Sequence, residues 1–312
     1  IQCLPPEPHM RLFPTQTPSL LCQISSHMRS VALNEPLLWD TVILPPLSIR
    51  EGRHRLTNHN FRRFIENGGI DLWFSRTRPS QFLALGDDAT EIYQGRLRWF
   101  LRHIHKYSRR LRFISLAITD SDELTLARKR FPRGEHDFGA LEEVKVICAV
   151  PMFKWGFNDT PLRYKCSWIN NAANLRTLTM NLENATWNNW RLPSGRLTRI
   201  SLWHSLDMEE WQAVFQGCPN LTHADIRRPR SRSHWRPGFQ HEKLSHLKIG
   251  IVSDREAGQY RWESLTEPVR FTSLVDLDLE FAELAFDEPG FADIHRALGG
   301  LMRLRLSSKD NP

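Results

Sequence analysis

Between residues 111 and 306 the chain repeats one short pattern eight times, with aliphatic residues at relative positions 1, 4 and 6. The triplets are Leu111-Ile114-Leu116, Leu141-Val144-Val146, Leu175-Leu178-Met180, Leu197-Ile200-Leu202, Leu221-Ala224-Ile226, Leu244-Leu247-Ile249, Leu274-Leu277-Leu279 and Leu301-Leu304-Leu306. Their starts are 30, 34, 22, 24, 23, 30 and 27 residues apart. Positions 4 and 6 alternate, so both fall on one face of a strand, and position 1 turns the chain inward before it. One such match means little in a Leu-rich chain. Eight in order, at near-regular spacing, predict stacked strand-plus-return units, a parallel sheet on the concave side and helices on the convex side. An ordinary α/β domain with alternating strands and helices is the competing reading.

Composition narrows the class. The 312 residues are 40% hydrophobic, 10% aromatic and 25% charged, a foldable rather than a disordered mixture. No apolar run approaches the roughly 18 residues of a membrane-spanning helix. The 42 Lys and Arg against 35 Asp and Glu give a net charge of +7, which permits an acidic partner without demanding nucleic acid. Five Cys (Cys3, Cys22, Cys148, Cys166 and Cys218) form no CxxC pair, so reduced thiols in the cytoplasm or nucleus are the plain reading. The sequons at Asn158, Asn184 and Asn220 follow no secretory signal. The chain opens at Ile1 rather than Met, which leaves room for an upstream segment.

The segments between triplets read as returns. Asp207 is placed to cap a helix carrying Met208, Trp211, Val214 and Phe215, and Gly217-Cys-Pro-Asn220 ends it. Further helices are expected from Pro289 to Leu298 and over Cys166–Ala173. Arg227–Gly238, with five Arg plus Pro and Ser, reads as a basic loop, or as a nuclear-localisation or polyanion-binding tract. Nearer the start, Pro18–Ala32 reads as one helix ended by Asn34-Glu-Pro36. A helix is expected at Phe61–Asn67, and a first α/β unit at Ile70–Phe74 and Phe82–Leu85.

Enzyme signatures are missing: the chain has no GxSxG, HExxH, P-loop or GxGxxG. His103-Ile-His105 would pair two imidazoles if it lay on a strand, without a third ligand, and reads better as a basic surface patch. Asp276-Leu-Asp278 is an outward carboxylate pair on a repeat strand, and Asp120-Ser-Asp122 reads as a loop. These residues argue for no catalytic group, no metal and no cofactor.

Residues Leu20–Val42 carry a more specific signal. Leu20, Leu21, Gln23, Ile24, Arg29, Ser30, Val31, Ala32, Leu33, Pro36, Leu38 and Trp39 match the second half of an F-box, in the form common among basidiomycete fungi. Leu4-Pro5-Pro6-Glu7 resembles the opening of that domain, and Leu72-Trp73-Phe74-Ser75-Arg76 with Pro79 resembles the segment that follows it. The chain thus resembles a basidiomycete-type F-box protein with a C-terminal leucine-rich-repeat domain. Ser25 and Met28 stand where that family has Cys and Trp, and Pro8–Pro18 is too short for the family's first helix. The resemblance implies a shortened α-helical F-box-like module over 1–46, a connector over 47–69 and an α/β leucine-rich-repeat solenoid of eight to nine units over 70–312.

In function, the resemblance implies a substrate-recognition subunit of a cullin-type ubiquitin ligase with no chemistry of its own. A Skp-type adaptor would dock on Leu4, Pro5, Leu20, Leu21, Ile24, Val31, Ala32, Pro36 and Leu38, an apolar set of the kind that forms interface cores. The alternative for these residues, and the better one for Trp39, is that they pack the module onto the repeats. The outward strand positions 3, 5 and 7 would face the substrate. Among them Arg199, Trp203, Arg227 and Lys248 are candidates for an acidic or phosphorylated segment. A repeat scaffold with an inactive F-box remnant, and a basic solenoid that binds RNA, are the other two readings.

Overall fold

The computed structural model describes residues 19–44, 67–87, 96–118, 138–148, 169, 172–181, 194–203, 206, 208–227, 239–251, 269–281 and 300–308. It is an α/β protein whose strands pair in parallel throughout. The chain divides into two compact units, Ile1–Asn158 with Ser167–Asn174, and Asp159–Cys166 with Leu175–Pro312. The expected helices at 61–67 and 289–298, the loop beyond Arg227, Asp120-Ser-Asp122 and the capping role of Asp207 lie outside the described residues.

The first unit opens with two helices where one was expected, α1 (Ser19–Ile24) and α2 (Ser26–Asn34). Ser25 divides them. Its backbone is extended and its Oγ accepts the Met28 N–H at 3.1 Å, so a serine inside the apolar pattern acts as an N-cap. Glu35 caps a short 3-10 turn, Pro36–Leu38, through the Leu37 N–H. The Trp39 indole then turns back and donates to Ala32 O at 2.7 Å. It meets Trp73 of helix α3 (Gly69–Phe74) edge-on at 4.7 Å, under the Arg76 guanidinium. Trp39 is thus a packing residue, as the alternative reading held.

Strands β1 (Thr41–Leu44), β2 (Leu83–Asp87), β3 (Leu111–Ile118) and β4 (Glu143–Cys148) follow in chain order. The sheet therefore begins inside the segment read as the F-box-like module, at residue 41 rather than at 70. Leu85, Ile114 and Val144 lie side by side in register, as the triplets require. At β3 the other face is also closed, because Phe113, Ser115 and Ala117 are buried as well as Ile114 and Leu116. Outward positions are therefore not solvated here. Gly86 lies in register between Ile43 of β1 and Ser115 of β3, and a Cβ on it would stand 2.8 Å from Ile43 Cδ1 and 3.3 Å from Ser115 Cβ, so these neighbours fill the space a side chain would need.

Helix α4 (Arg96–Tyr107) was not foreseen; it removes the strand on which His103 and His105 would have paired, and the basic-surface-patch reading fails at His103, which is buried. Two residues apart on a helix, the imidazoles diverge. His103 is buried and faces Asp71 at 3.5 Å, while His105 is exposed. Asp71 also accepts from Tyr107 Oη at 2.7 Å and pairs with Lys106 at 3.0 Å, which ties α3 to α4.

The second unit is a ladder of β5 (Thr177–Asn181), β6 (Arg199–Leu202), β7 (His223–Arg227), β9 (His246–Ile251), β11 (Asp276–Phe281) and β12 (Arg303–Ser308). Position 4 of each triplet falls in one row: Leu178, Ile200, Ala224, Leu247, Leu277 and Leu304. The backbone repeats with it. The position-2 carbonyls of Arg176, Thr198, Thr222, Ser245 and Val275 each accept two consecutive N–H groups from the next rung. Thr198, Thr222 and Ser245 hydroxyls donate to those same carbonyls one rung back. Asn220 reaches back from its turn to Gly195 O at 2.7 Å.

The returns differ from the expectation of a helix in each. Helix α5 (Met208–Gly217) joins β6 to β7. After it, the described return segments are two three-residue strands, β8 (Phe239–His241) and β10 (Val269–Phe271), paired in parallel. A three-residue extended piece places alternate side chains inward, and His241 and Phe271 there stack edge-on against Phe215 of α5. His241 is fully partnered: Nε2 donates to Cys218 O at 3.0 Å and Nδ1 accepts the Leu244 N–H at 3.2 Å. Burial holds its pKa below the ordinary imidazole value and pushes the Cys218 thiol up to about 12.

Candidate functional site

The outward residues of the second unit form three rows across the parallel strands. Position 3 reads Thr177, Arg199, His223, His246, Asp276, Arg303. Position 5 reads Thr179, Ser201, Asp225, Lys248, Asp278, Arg305. Position 7 carries Arg227 beside Gly250 beside Glu280. None of these is submerged: from β5 to β11 burial alternates, with the triplets closed off and the rows half-buried or exposed. This is the face the triplet geometry requires.

A hollow of about 230 Å³ lies over this face, its polar lining made by His223, Asp225, His246, Lys248, Asp276, Asp278, Arg303 and Arg305. The His223 and His246 rings stack in parallel, 4.2 Å between centroids and 5° between planes. Each Nδ1 is anchored by the hydroxyl of the residue before it, Thr222 at 2.9 Å and Ser245 at 2.8 Å. His246 Nε2 faces Asp276 Oδ2 at 3.0 Å. Burial, then the neighbouring His246 and Arg199, hold the pKa of His223 below the ordinary value.

Position 5 carries the strongest charge alternation. Lys248 reaches along the face to Glu280 at 3.1 Å, and that hydrogen bond raises its pKa. Asp225, flanking Lys248, takes the Ser201 hydroxyl at 3.3 Å, and burial raises its pKa against the pull of Lys248. Trp203, 38% exposed, donates its indole N–H to Ser201 Oγ at 2.6 Å, which holds the ring on the face.

The four residues expected to bind substrate all lie on this face but do not form one cluster. Arg199 and Trp203 are exposed, Arg227 is half-buried with its stem across Gly250, and only Lys248 lines the hollow. Lys248 is engaged by Glu280, so it is not a spare cation. What sequence reasoning missed is pairing: on β11 Asp276 engages His246 and Arg303, and Glu280 engages Lys248. Register was the available signal, because equal repeat positions become neighbours.

The residues expected to dock an adaptor divide. Leu4 and Pro5 lie outside the described residues, and Leu20 falls in α1 without a described side chain. Leu21, Val31 and Pro36 are half-buried and Ile24 is 60% exposed. Ala32 and Leu38 are buried, so they build the core of this segment and offer no contact surface. Three apolar residues outside the expected docking set are exposed beside them: Met28, Leu33 and Leu37, the last at 68%.

Among the described residues no group of three or more His, Cys, Asp and Glu is arranged to hold a metal ion, and no helix is long and apolar enough to cross a membrane. Asp276 and Asp278 point outward from β11, with Asp276 engaged by His246 and Arg303. No family model matches the chain, and no curated protein matches it.

Proposed function

We propose that this chain is a protein-recognition receptor of the F-box type. Its N-terminal helices dock a Skp-type adaptor of a cullin ubiquitin ligase, and its leucine-rich repeats present a protein substrate on the open face of the second unit. One observation carries the reading: Ile24, Met28, Leu33 and Leu37 are exposed large apolar side chains on two short helices and a 3-10 turn, while Ala32, Leu38 and Trp39 on the same segment anchor it. Such a crown of solvent-facing aliphatic groups on a rooted scaffold fits the core of a protein interface. Ubiquitin transfer belongs to other subunits, and the setting is the cytoplasm or nucleus.

The same crown could serve a non-degradative scaffold, and the family differences at Ser25 and Met28 favour that second reading. Co-expression with a Skp-type adaptor separates them. Recovery of a stable adaptor complex supports the receptor; clean failure with a folded chain favours the scaffold. RNA binding finds less support, because Asp225, Asp276, Asp278 and Glu280 interrupt the basic rows, and a phosphate backbone would meet repulsion there.

A further inference from the structure

Position 3 of the ladder places Arg199, His223, His246, Asp276 and Arg303 side by side on five neighbouring strands. At one end of this row the basic groups share a carboxylate. Asp276 stands 3.0 Å from His246 Nε2 and 3.5 Å from Arg303 Nε. At the other end an arginine and a histidine again lie next to each other, without an acid between them. Arg199 is exposed, and its guanidinium has no hydrogen-bond or ion-pair partner among the described residues. The same is true of His223 Nε2, on a ring that lines the hollow. Both residues sit inside the sheet, on β6 and β7 with β5 and β9 to either side.

Hydrogen-bond accounting assigns the proton of His223. The Thr222 hydroxyl donates to Thr198 O at 3.0 Å, which uses its one proton. Its 2.9 Å contact with His223 Nδ1 therefore takes the proton from the ring. The neutral ring is left with a bare lone pair at Nε2, and only the imidazolium has a donor there. Arg199 from β6 and His246 from β9 oppose that second proton, and Asp276 from β11 favours it. Asp225, on the same strand as His223, turns its carboxylate to the Ser201 hydroxyl. What the pair lacks is an anion close to both, because guanidinium and imidazolium bind carboxylates through charge-assisted hydrogen bonds.

We propose that Arg199 and His223 form a seat for a carboxylate side chain of the partner protein, and that seating it takes up one proton from solvent at His223 Nε2. The carboxylate accepts from the guanidinium and from the imidazolium, as Asp276 does between Arg303 and His246. Its affinity therefore rises as the pH falls through the range in which His223 charges. The proposal rests on the reading of this face as the substrate face and narrows it, since it keeps Arg199, adds His223 and leaves out Lys248, which Glu280 already engages. No adaptor-docking residue takes part, so either can fail without the other.

The test is NMR of the His223 ring in the full chain, titrated at constant ionic strength with a capped glycine pentapeptide carrying glutamate at its centre. The same peptide with glutamine is the neutral control. The glutamate peptide should shift the His223 signals saturably, move its titration upward, and bind at least about threefold more tightly near pH 5.5 than near pH 8. Arg199→Gln, at an exposed side chain, should weaken binding at least about fivefold with an unchanged thermal melt. The glutamine control needs no variant protein, so the test holds even where Arg199→Gln misfolds. Absence of a saturable shift, an equal response to the glutamine peptide, or equal affinity at the two pH values would overturn the proposal.

Discussion

The imidazoles of His223 and His246 lie ring over ring, 4.2 Å apart and within 5° of parallel, at the centre of the open face. Parallel pairing of β7 with β9 puts position 3 of one rung beside position 3 of the next, so two ordinary outward histidines become one electrostatic unit. Two imidazolium ions at that distance repel, and the Asp276 carboxylate stands against His246 rather than His223. Arg199 approaches from the β6 side of His223, and its charge also opposes protonation. NMR titration should therefore find His223 titrating below the ordinary imidazole value. His246→Asn should move it upward, since one opposing charge is removed. A His223 that titrates normally, or is indifferent to His246→Asn, contradicts the coupling.

The ladder makes unequal demands on equivalent leucines. Leu277, enclosed between rungs, should cost about 2–5 kcal/mol when cut to Ala, the usual range for a buried leucine. Leu304, at the exposed end of the same row, should cost well under half as much. Urea unfolding of the two variants checks this. Equal losses would contradict the difference in exposure between the two leucines.

His241 links stability to pH. The folded state holds it neutral, because burial lowers its pKa and both ring nitrogens are already engaged. The unfolded chain takes up its proton near the ordinary value of about 6.5. Above that pH the contribution is fully present. It falls away as the pH drops below about 6.5, until the lower folded pKa is passed. His241→Phe keeps the ring but strands the Leu244 N–H and leaves Cys218 O with only the Leu221 N–H, at a cost of about 1–3 kcal/mol near neutral pH. Stability measured from pH 7 to pH 5 should fall less steeply in the variant than in the parent chain.

Gly86 tests the packing between neighbouring strands of the first unit. Gly86→Val must displace Ile43 and Ser115, and overpacking of that kind costs about 1–3 kcal/mol. An unaltered melting temperature would contradict the close fit of Ile43 and Ser115 around this position.

The periodic part of the fold was legible in the residues because spacing alone determines which side chains share a face. Positions 4 and 6 of seven triplets are buried, and six of the rungs run in unbroken register in the second unit. Local competition hid the rest. Ser25 looked like one polar residue within a helix, yet a hydroxyl three residues before an N–H is also a cap, and the cap prevailed. Phe239–His241 and Val269–Phe271 are too short for periodicity to distinguish strand from helix. For the candidate site, the outward residues were readable but their pairings were not. Lys248 looked available until β11, about thirty residues further along the chain, placed Glu280 against it.

The central claim is that the exposed aliphatic crown of α1, α2 and the following turn binds a Skp-type adaptor. Calorimetric titration of that adaptor into the chain and into the Ile24→Glu, Leu37→Glu double variant tests it most directly, because both side chains are solvent-facing and their replacement leaves the core intact. The account predicts saturable one-to-one binding to the parent chain, weakened at least about tenfold in the variant, as expected for central apolar contacts. No binding to the parent, or equal binding to both, would contradict it.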